Sequence, residues 1–276
     1  MATNKTPLSM NDDFSGEDNS AYIKSFMFIK GFAVALELEQ TLIALAVARK
    51  MHYGQTRKDG TPYIMHPLKV CSTLINYGVK DDATLAAALL HDVIEDCKDK
   101  LPFGGQELMT EYGVSQEVYD IITLLSKESG LDQYELSLYF DKIRKHPKAA
   151  AVKLSDRFHN SQTLYTFNHD KLLKYIKETE DFIIPMASYC KYKYPWWTNL
   201  FSILKTNIYS LNHAMNVTIG IYDKKIESLE EEITGLNDQI CHMEAELLVR
   251  DEEETKREME ASAVSLEGPQ TGSTKN

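Results

Sequence analysis

Along most of this 276-residue chain, apolar residues recur at spacings of three and four, and no long stretch alternates with period two. That periodicity is helical, and the fold class it predicts is all-α. Turn and cap residues divide the pattern. Glu37 to Met51 reads as one helix. Pro67 to Tyr77 reads as a second, with Pro in its first turn and Gly78 as its stop. Asp81 or Asp82 caps a third, which runs through Leu85, Leu89 and Val93 to about Cys97. Ser115 to Lys127 forms a fourth, and Asp132 with Glu135 resembles a capping box opening a fifth. Pro147 opens a sixth through Thr163, and Lys171 to Lys193 gives a seventh. Pro195-Trp196-Trp197 interrupts the chain before an apolar helix from Leu200 to about Leu211.

The pattern then changes. Ile219, Ile226, Ile233, Ile240 and Leu247 fall seven apart, and Tyr222, Leu229, Leu236 and Met243 follow the first four of them by three. Ile at a and mostly Leu at d favours a parallel two-stranded coil, so a homodimer through this coil is expected. A helix folded back on its own body would need an apolar stripe wider than a and d. The positions beside this seam are largely Glu, Asp, Lys and Asn.

Charge sharpens this division. The chain carries −11, but residues 223–260 hold 14 acidic against 5 basic side chains, leaving a body close to neutral. An extended nucleic-acid surface needs a basic stripe and is not expected. A small anionic substrate held by a few cations and a metal remains compatible. No apolar run reaches the roughly 18–20 residues that span a bilayer, so no membrane association is expected. Met1 to Ala21 is polar and reads as a disordered arm. Cys71, Cys97, Cys190 and Cys241 are far apart and form no C-x-x-C pair, which fits reduced thiols in a cytoplasmic protein. The expected organisation is an arm at 1–21, a body at 22–211, an acidic helix at 212–260 and a disordered tail at 261–276.

Candidate chemistry gathers in the body. Arg57-Lys58-Asp59-Gly60-Thr61-Pro62-Tyr63 leads into His66-Pro67; further on come His91-Asp92-Val93-Ile94-Glu95-Asp96 and Val152-Lys153-Leu154-Ser155-Asp156-Arg157-Phe158-His159-Asn160, continued by Ser161-Gln162-Thr163. On a continuous helix His91 and Glu95 lie one turn apart, as do Asp92 and Asp96. Four ionisable groups abutting the apolar run Ala86-Ala87-Ala88-Leu89-Leu90 need a metal or a partner, unless the helix end simply reaches solvent. Asp156, mid-helix after Ala149-Ala150-Ala151, wants a partner too. His146-Pro147 repeats the His66-Pro67 dipeptide without an acidic context and reads as structural. Two imidazoles and two carboxylates suit a divalent metal such as Mn²⁺, Fe²⁺ or Zn²⁺. Glu95 and Asp96 would activate or orient water, and Arg57 and Lys58 supply charge for phosphate oxygens.

The ordered set RKDGTPYIMHP, HDVIED and VKLSDRFHN resembles the hydrolase domain of RelA/SpoT-homologue proteins, in the stand-alone form called small alarmone hydrolases. The resemblance covers about Leu38 to Ile184, with the motifs in the family's order. It implies an HD-domain helical bundle, here followed by a C-terminal coiled-coil helix. It also implies one Mn²⁺ per chain and removal of the 3′-pyrophosphate from (p)ppGpp. Position by position, it implies His66, His91, Asp92 and Asp156 as metal ligands and Glu95 with Asp96 as the pair that activates water. Arg57, Lys58, Tyr63, Asn160 and Thr163 become substrate contacts, and His159 a residue behind the ligands. Tyr63 reads equally well as a packed aromatic.

One departure bears on the substrate. Where the family has Arg, this chain has Gln162. Related chemistry on NADPH, a 3′-phosphoadenosine compound or pyrophosphorylated RNA therefore stays open. So does a regulatory or scaffold role for the coil, although a binding module would not need the whole set of ligands and acids.

Overall fold

A computed structural model describes residues 20–57, 60–128 and 130–266, and no strand occurs among them, only an isolated bridge between Thr56 and Pro62. The order is α1 (Ser20–Ala35), α2 (Glu39–Met51), α3 (Met65–Asn76), α4 (Asp82–Leu90), α5 (Val93–Asp96), α6 (Glu107–Thr110), α7 (Gln116–Leu125), α8 (Gln133–Arg144), α9 (Pro147–Ser161), α10 (His169–Glu178), α11 (Ile184–Lys193) and α12 (Thr198–Leu266). No helix among the described residues is long and apolar enough to cross a membrane. The chain divides into two units after Asn216, rather than at 211. Ile208 and Asn212 are still buried in the first unit, which carries it past the expected boundary.

Local sequence explains most boundaries. The Asp81 carboxylate accepts the Thr84 amide and caps α4, and Ser115 does the same for α7 through the Val118 amide. Asp132 and Glu135 close the capping box of α8. His146 caps α9, its ring accepting the Ala149 amide, so this His is structural as expected. Gly78, at φ 86°, ends α3 in the left-handed region where a side chain would be strained. Asp82 does something the local pattern does not contain. Its carboxylate accepts the Gln40 and Thr41 amides at 2.9 and 2.7 Å, capping α2 from 41 residues away.

Four expectations are corrected. The arm is helical from Ser20, where α1 begins and buries Tyr22, Phe26, Ile29 and Ala33; residues 1–19 lie outside the described residues. The third helix does not run unbroken to Cys97. It stops at Leu90, and α5 starts afresh after Asp92. The run from Lys171 to Lys193 is split by a π turn, Thr179–Ile183, between α10 and α11. Pro185 has no N–H to offer the preceding turn, and the wider turn accommodates that loss. Finally, α12 runs without a break from Thr198 to Leu266, into the segment expected as tail; 267–276 lie outside the described residues.

The centre of the first unit is α4. Every residue from Ala83 to Leu90 is buried, and the helix packs on α2, α3, α7 and α9. A helix apolar all round must be buried on every side. Ala86, Ala87 and Ala88 let neighbours approach closely. Helices α3 and α9 also pack on each other, so three mutually packed helices meet near the C-terminal end of α4.

In the second unit, α12 exposes Tyr222, Ile226, Leu229, Ile233, Leu236, Ile240, Met243 and Leu247, the heptad seam, while Ile219 is buried. Cys71, Cys97 and Cys190 are buried free thiols, and Cys241 is an exposed one.

Candidate metal centre

Three helices deliver four side chains to one point. His66 comes from the first turn of α3, His91 and Asp92 from the end of α4, and Asp156 from the middle of α9. The Nε2 atoms of His66 and His91 are 3.1 Å apart. His66 Nε2 lies 3.3 Å from Asp92 Oδ2 and 3.2 Å from Asp156 Oδ1. His91 Nε2 lies 3.2 Å from Asp92 Oδ1 and 3.7 Å from Asp156 Oδ1. One ligand atom each from His66, His91 and Asp92 can be chosen so that all lie within 4.8 Å of one another.

The surrounding bonds aim these atoms. His91 Nδ1 lies 2.9 Å from the Ala88 carbonyl, which can only accept, so Nδ1 carries a proton and Nε2 is the atom turned into the site. That carbonyl is one of the last four of α4, which lack a helical partner. Across the site His66 Nδ1 and His159 Nδ1 are 2.7 Å apart, one donating to the other. Tyr63 donates to Asp92 Oδ2 at 2.7 Å, and Asn160 to Asp156 Oδ1 at 2.6 Å. Lys153 reaches Asp156 Oδ2 at 3.3 Å.

The electrostatics call for positive charge. Burial would lower the pKa of His91, but Asp92 and Asp156 outweigh it and raise it well above the ordinary imidazole range. Burial would raise the two carboxyls; His91 and His66 hold Asp92 well below its usual range, and Lys153 with both imidazoles does so for Asp156. Burial, His66 and Arg57 push His159 down to about 3, so it is a neutral partner for His66. Two inward imidazole nitrogens, able to give up a proton to a metal, and two ionised carboxylates are a donor set that fits a divalent cation.

The water-activating candidates lie beside this point. Glu95 is half-buried, and one of its oxygens accepts the Lys127 amide at 2.6 Å. Burial, with Asp92 and Asp96 nearby, pushes its carboxyl up. Asp96 is exposed, and its carbonyl accepts from Gln55 at 3.2 Å. Because the helix breaks at Asp92, the two acids stand on the short α5 rather than a turn further along α4.

Arg57 follows the bridge residue Thr56, and its amide donates to the Thr61 carbonyl at 2.8 Å; its guanidinium donates to Asn160 at 3.1 Å. Thr163 caps the Asn160 carbonyl at 3.2 Å, and Gln162 beside it is exposed. Tyr63 both packs and bonds: its ring stacks on His52 at 4.8 Å while its hydroxyl holds Asp92. Lys58 lies outside the described residues. Sequence reasoning gave no role to Lys153, although a cation three residues before Asp156 on one helix was a readable signal. Nor did it single out Lys127, whose backbone reaches Glu95 only through the fold.

Residues 44–188, more than half the chain, match the family model described as HD domain. The chain belongs to the HD-domain family.

Among its relatives is GTP pyrophosphokinase of Streptomyces coelicolor, 35% identical over 160 residues, covering 54% of this chain and 18% of that protein. The guanosine-3′,5′-bis(diphosphate) 3′-pyrophosphohydrolase of Haemophilus influenzae is 35% identical over 147 residues, covering 51% and 21%. The bifunctional (p)ppGpp synthase/hydrolase SpoT of Escherichia coli is 37% identical over 152 residues, covering 52% and 21%. The chain thus spans about a fifth of the length of these relatives. The fold is similar to the solved structure of a metazoan ortholog of SpoT that hydrolyses ppGpp, with a TM-score of 0.51 at 19% identity, covering 64% of this chain and 96% of that one. At that identity the likeness concerns the fold.

Proposed function

We propose that this chain is a metal-dependent phosphohydrolase that removes the 3′-pyrophosphate from (p)ppGpp-type nucleotides. The observation that carries the reading is the convergence of His66, His91, Asp92 and Asp156 from three helices, with Glu95 alongside. Identity to (p)ppGpp hydrolases over the same half of the chain supports the substrate class. These four side chains would hold one divalent ion, Mn²⁺ by the family resemblance. When bound, such an ion supplies charge for phosphate oxygens and lowers the pKa of water.

The chain's own groups divide the remaining work. Glu95, held by one oxygen, uses the other to take and pass on a proton, and burial raises its pKa in the direction that favours such exchange. Asp96, exposed on the same short helix, orients water. Tyr63 and Asn160 each hold one carboxylate of the site in place, which fixes its orientation as supporting hydrogen bonds do. Arg57 presents a planar, permanently charged fork suited to phosphate, and its bond to Asn160 keeps that fork beside the site. Lys58 and Thr163 complete the substrate contacts.

Purified protein with Mn²⁺, offered a panel of ppGpp, NADPH, a 3′-phosphoadenosine nucleotide and pyrophosphorylated RNA, tests the substrate. Pyrophosphate release from ppGpp is expected to dominate. Turnover of NADPH or the adenosine compound with ppGpp untouched would overturn the (p)ppGpp assignment.

We further propose that the acidic helix pairs two copies. A row of apolar side chains at a and d, exposed along a charged helix, favours pairing with a like surface. The Glu-rich flanks repel, so added salt should strengthen association. Ending the chain after Asn216 should leave an active hydrolase of lower mass by light scattering. A monomeric full-length chain at micromolar concentration would refute the pairing, and a dimer that survives truncation would place the interface in the first unit.

A further inference from the structure

Glu95 lines a cavity of about 550 Å³ shared with Lys127, Lys174, Lys177, Glu178 and Phe182. Packing therefore does not fix its rotamer on that side, and the bond from the Lys127 amide has to. That amide is available because α7 has already ended: Ser126 is extended, at ψ 126°, and the next N–H is turned away from the helix. The Lys127 ammonium is tied in turn to Glu178 at 2.7 Å, at the C-terminal end of α10.

Glu178 also meets Arg157, which is buried, follows Asp156 on α9, donates to Thr179 at 3.1 Å and stacks on the Tyr175 ring at 4.1 Å. Both cations hold the Glu178 carboxyl below its usual range against the effect of burial. The carboxylate thus clamps the peptide after α7 to the start of the π turn, against the same helix that carries Asp156. Beside this set, α10 and the π turn bury Leu172, Ile176 and Ile183.

We propose that Lys127 and Glu178 are positioning residues, an ion-pair tether that aims the Lys127 amide at Glu95 and so orients the proposed proton acceptor. This rests on the hydrolase reading above. The tether acts through Glu95 and not on substrate, which separates it from a phosphate-binding lysine.

Lys127→Met keeps the stem and the amide and removes the tether. With ppGpp and Mn²⁺ it is expected to lower kcat by roughly 10–100-fold, the range for groups that orient a site residue, with KM and metal content unchanged. Lys127→Arg should restore most of the rate. In a Glu95→Gln background Lys127→Met should cost little more. A rise in KM with kcat intact would make Lys127 a substrate contact and overturn the tether, as would full additivity with Glu95→Gln. Amide hydrogen exchange reads the tether without substrate: Lys127→Met and Glu178→Gln should both speed exchange at residue 127. Unchanged protection in both variants overturns the inference, whereas a wild type that cannot hydrolyse ppGpp while exchange responds as expected overturns the substrate and leaves the tether standing.

Discussion

Asp156→Asn is expected to abolish hydrolysis and metal binding together. The substitution conserves volume but removes one of two carboxylates facing the paired imidazoles, and it sets an amide against His66 and His91 at 3.2 and 3.7 Å. It also leaves the Lys153 ammonium, itself partly buried, without its anion. Mn²⁺ at about 100 times its dissociation constant should stabilise the wild type by about 2.7 kcal/mol. For a domain of this size that is a melting shift of roughly 5–10 °C. The variant should show none of it. Full turnover with normal metal content would remove Asp156 from the ligand set, leaving the three groups that already lie within 4.8 Å of one another.

Glu95→Gln should separate chemistry from binding. The amide oxygen can still accept the Lys127 N–H, so α5 and the loop beyond α7 keep their places, but the side chain can no longer take a proton. Turnover should fall by roughly 10²–10⁴, the contribution of a general acid–base group, while the Mn²⁺-induced melting shift persists. If metal is lost as readily as in Asp156→Asn, Glu95 is a ligand and the division of roles between α4 and α5 is incorrect.

The all-helical class, most caps and the heptad seam were legible because each is local. Asp132 and Glu135 are three apart, Gly78 directly follows its helix, and Ile226 predicts Ile233 by spacing alone. That four candidate site residues would converge from three helices was legible for another reason: ordered motifs carry a resemblance that a lone His-Asp pair does not. What escaped depends on distance or on competing signals. Asp82 was weighed as a cap for its own helix, and the fold turns its carboxylate to α2 instead. The break at Asp92 lies inside an unbroken apolar pattern, so periodicity could not mark it. Helix α1 was hidden by the polar residues before it, although Tyr22, Phe26, Ile29 and Ala33 repeat at helical spacing. The hold of Lys127 on Glu95 is a backbone bond across 32 residues, and side-chain patterns do not encode it.

The enclosure of α4 ties the fate of the site to that of the whole first unit. His91 and Asp92 sit at the end of a rod with no exposed face between Ala83 and Leu90. Regions that open by themselves are those with few buried contacts and solvent-exposed hydrogen bonds, and this rod has neither property. The imidazole and the carboxylate that follow it are therefore expected to stay in place as long as the rod stays folded. Along a denaturant titration, loss of the ion and loss of the core should fall on one curve, and the amides of α4 should exchange only through global unfolding. The candidate metal centre is then as durable as the protein, and as brittle: a cavity opened anywhere along that rod is expected to be felt at its end.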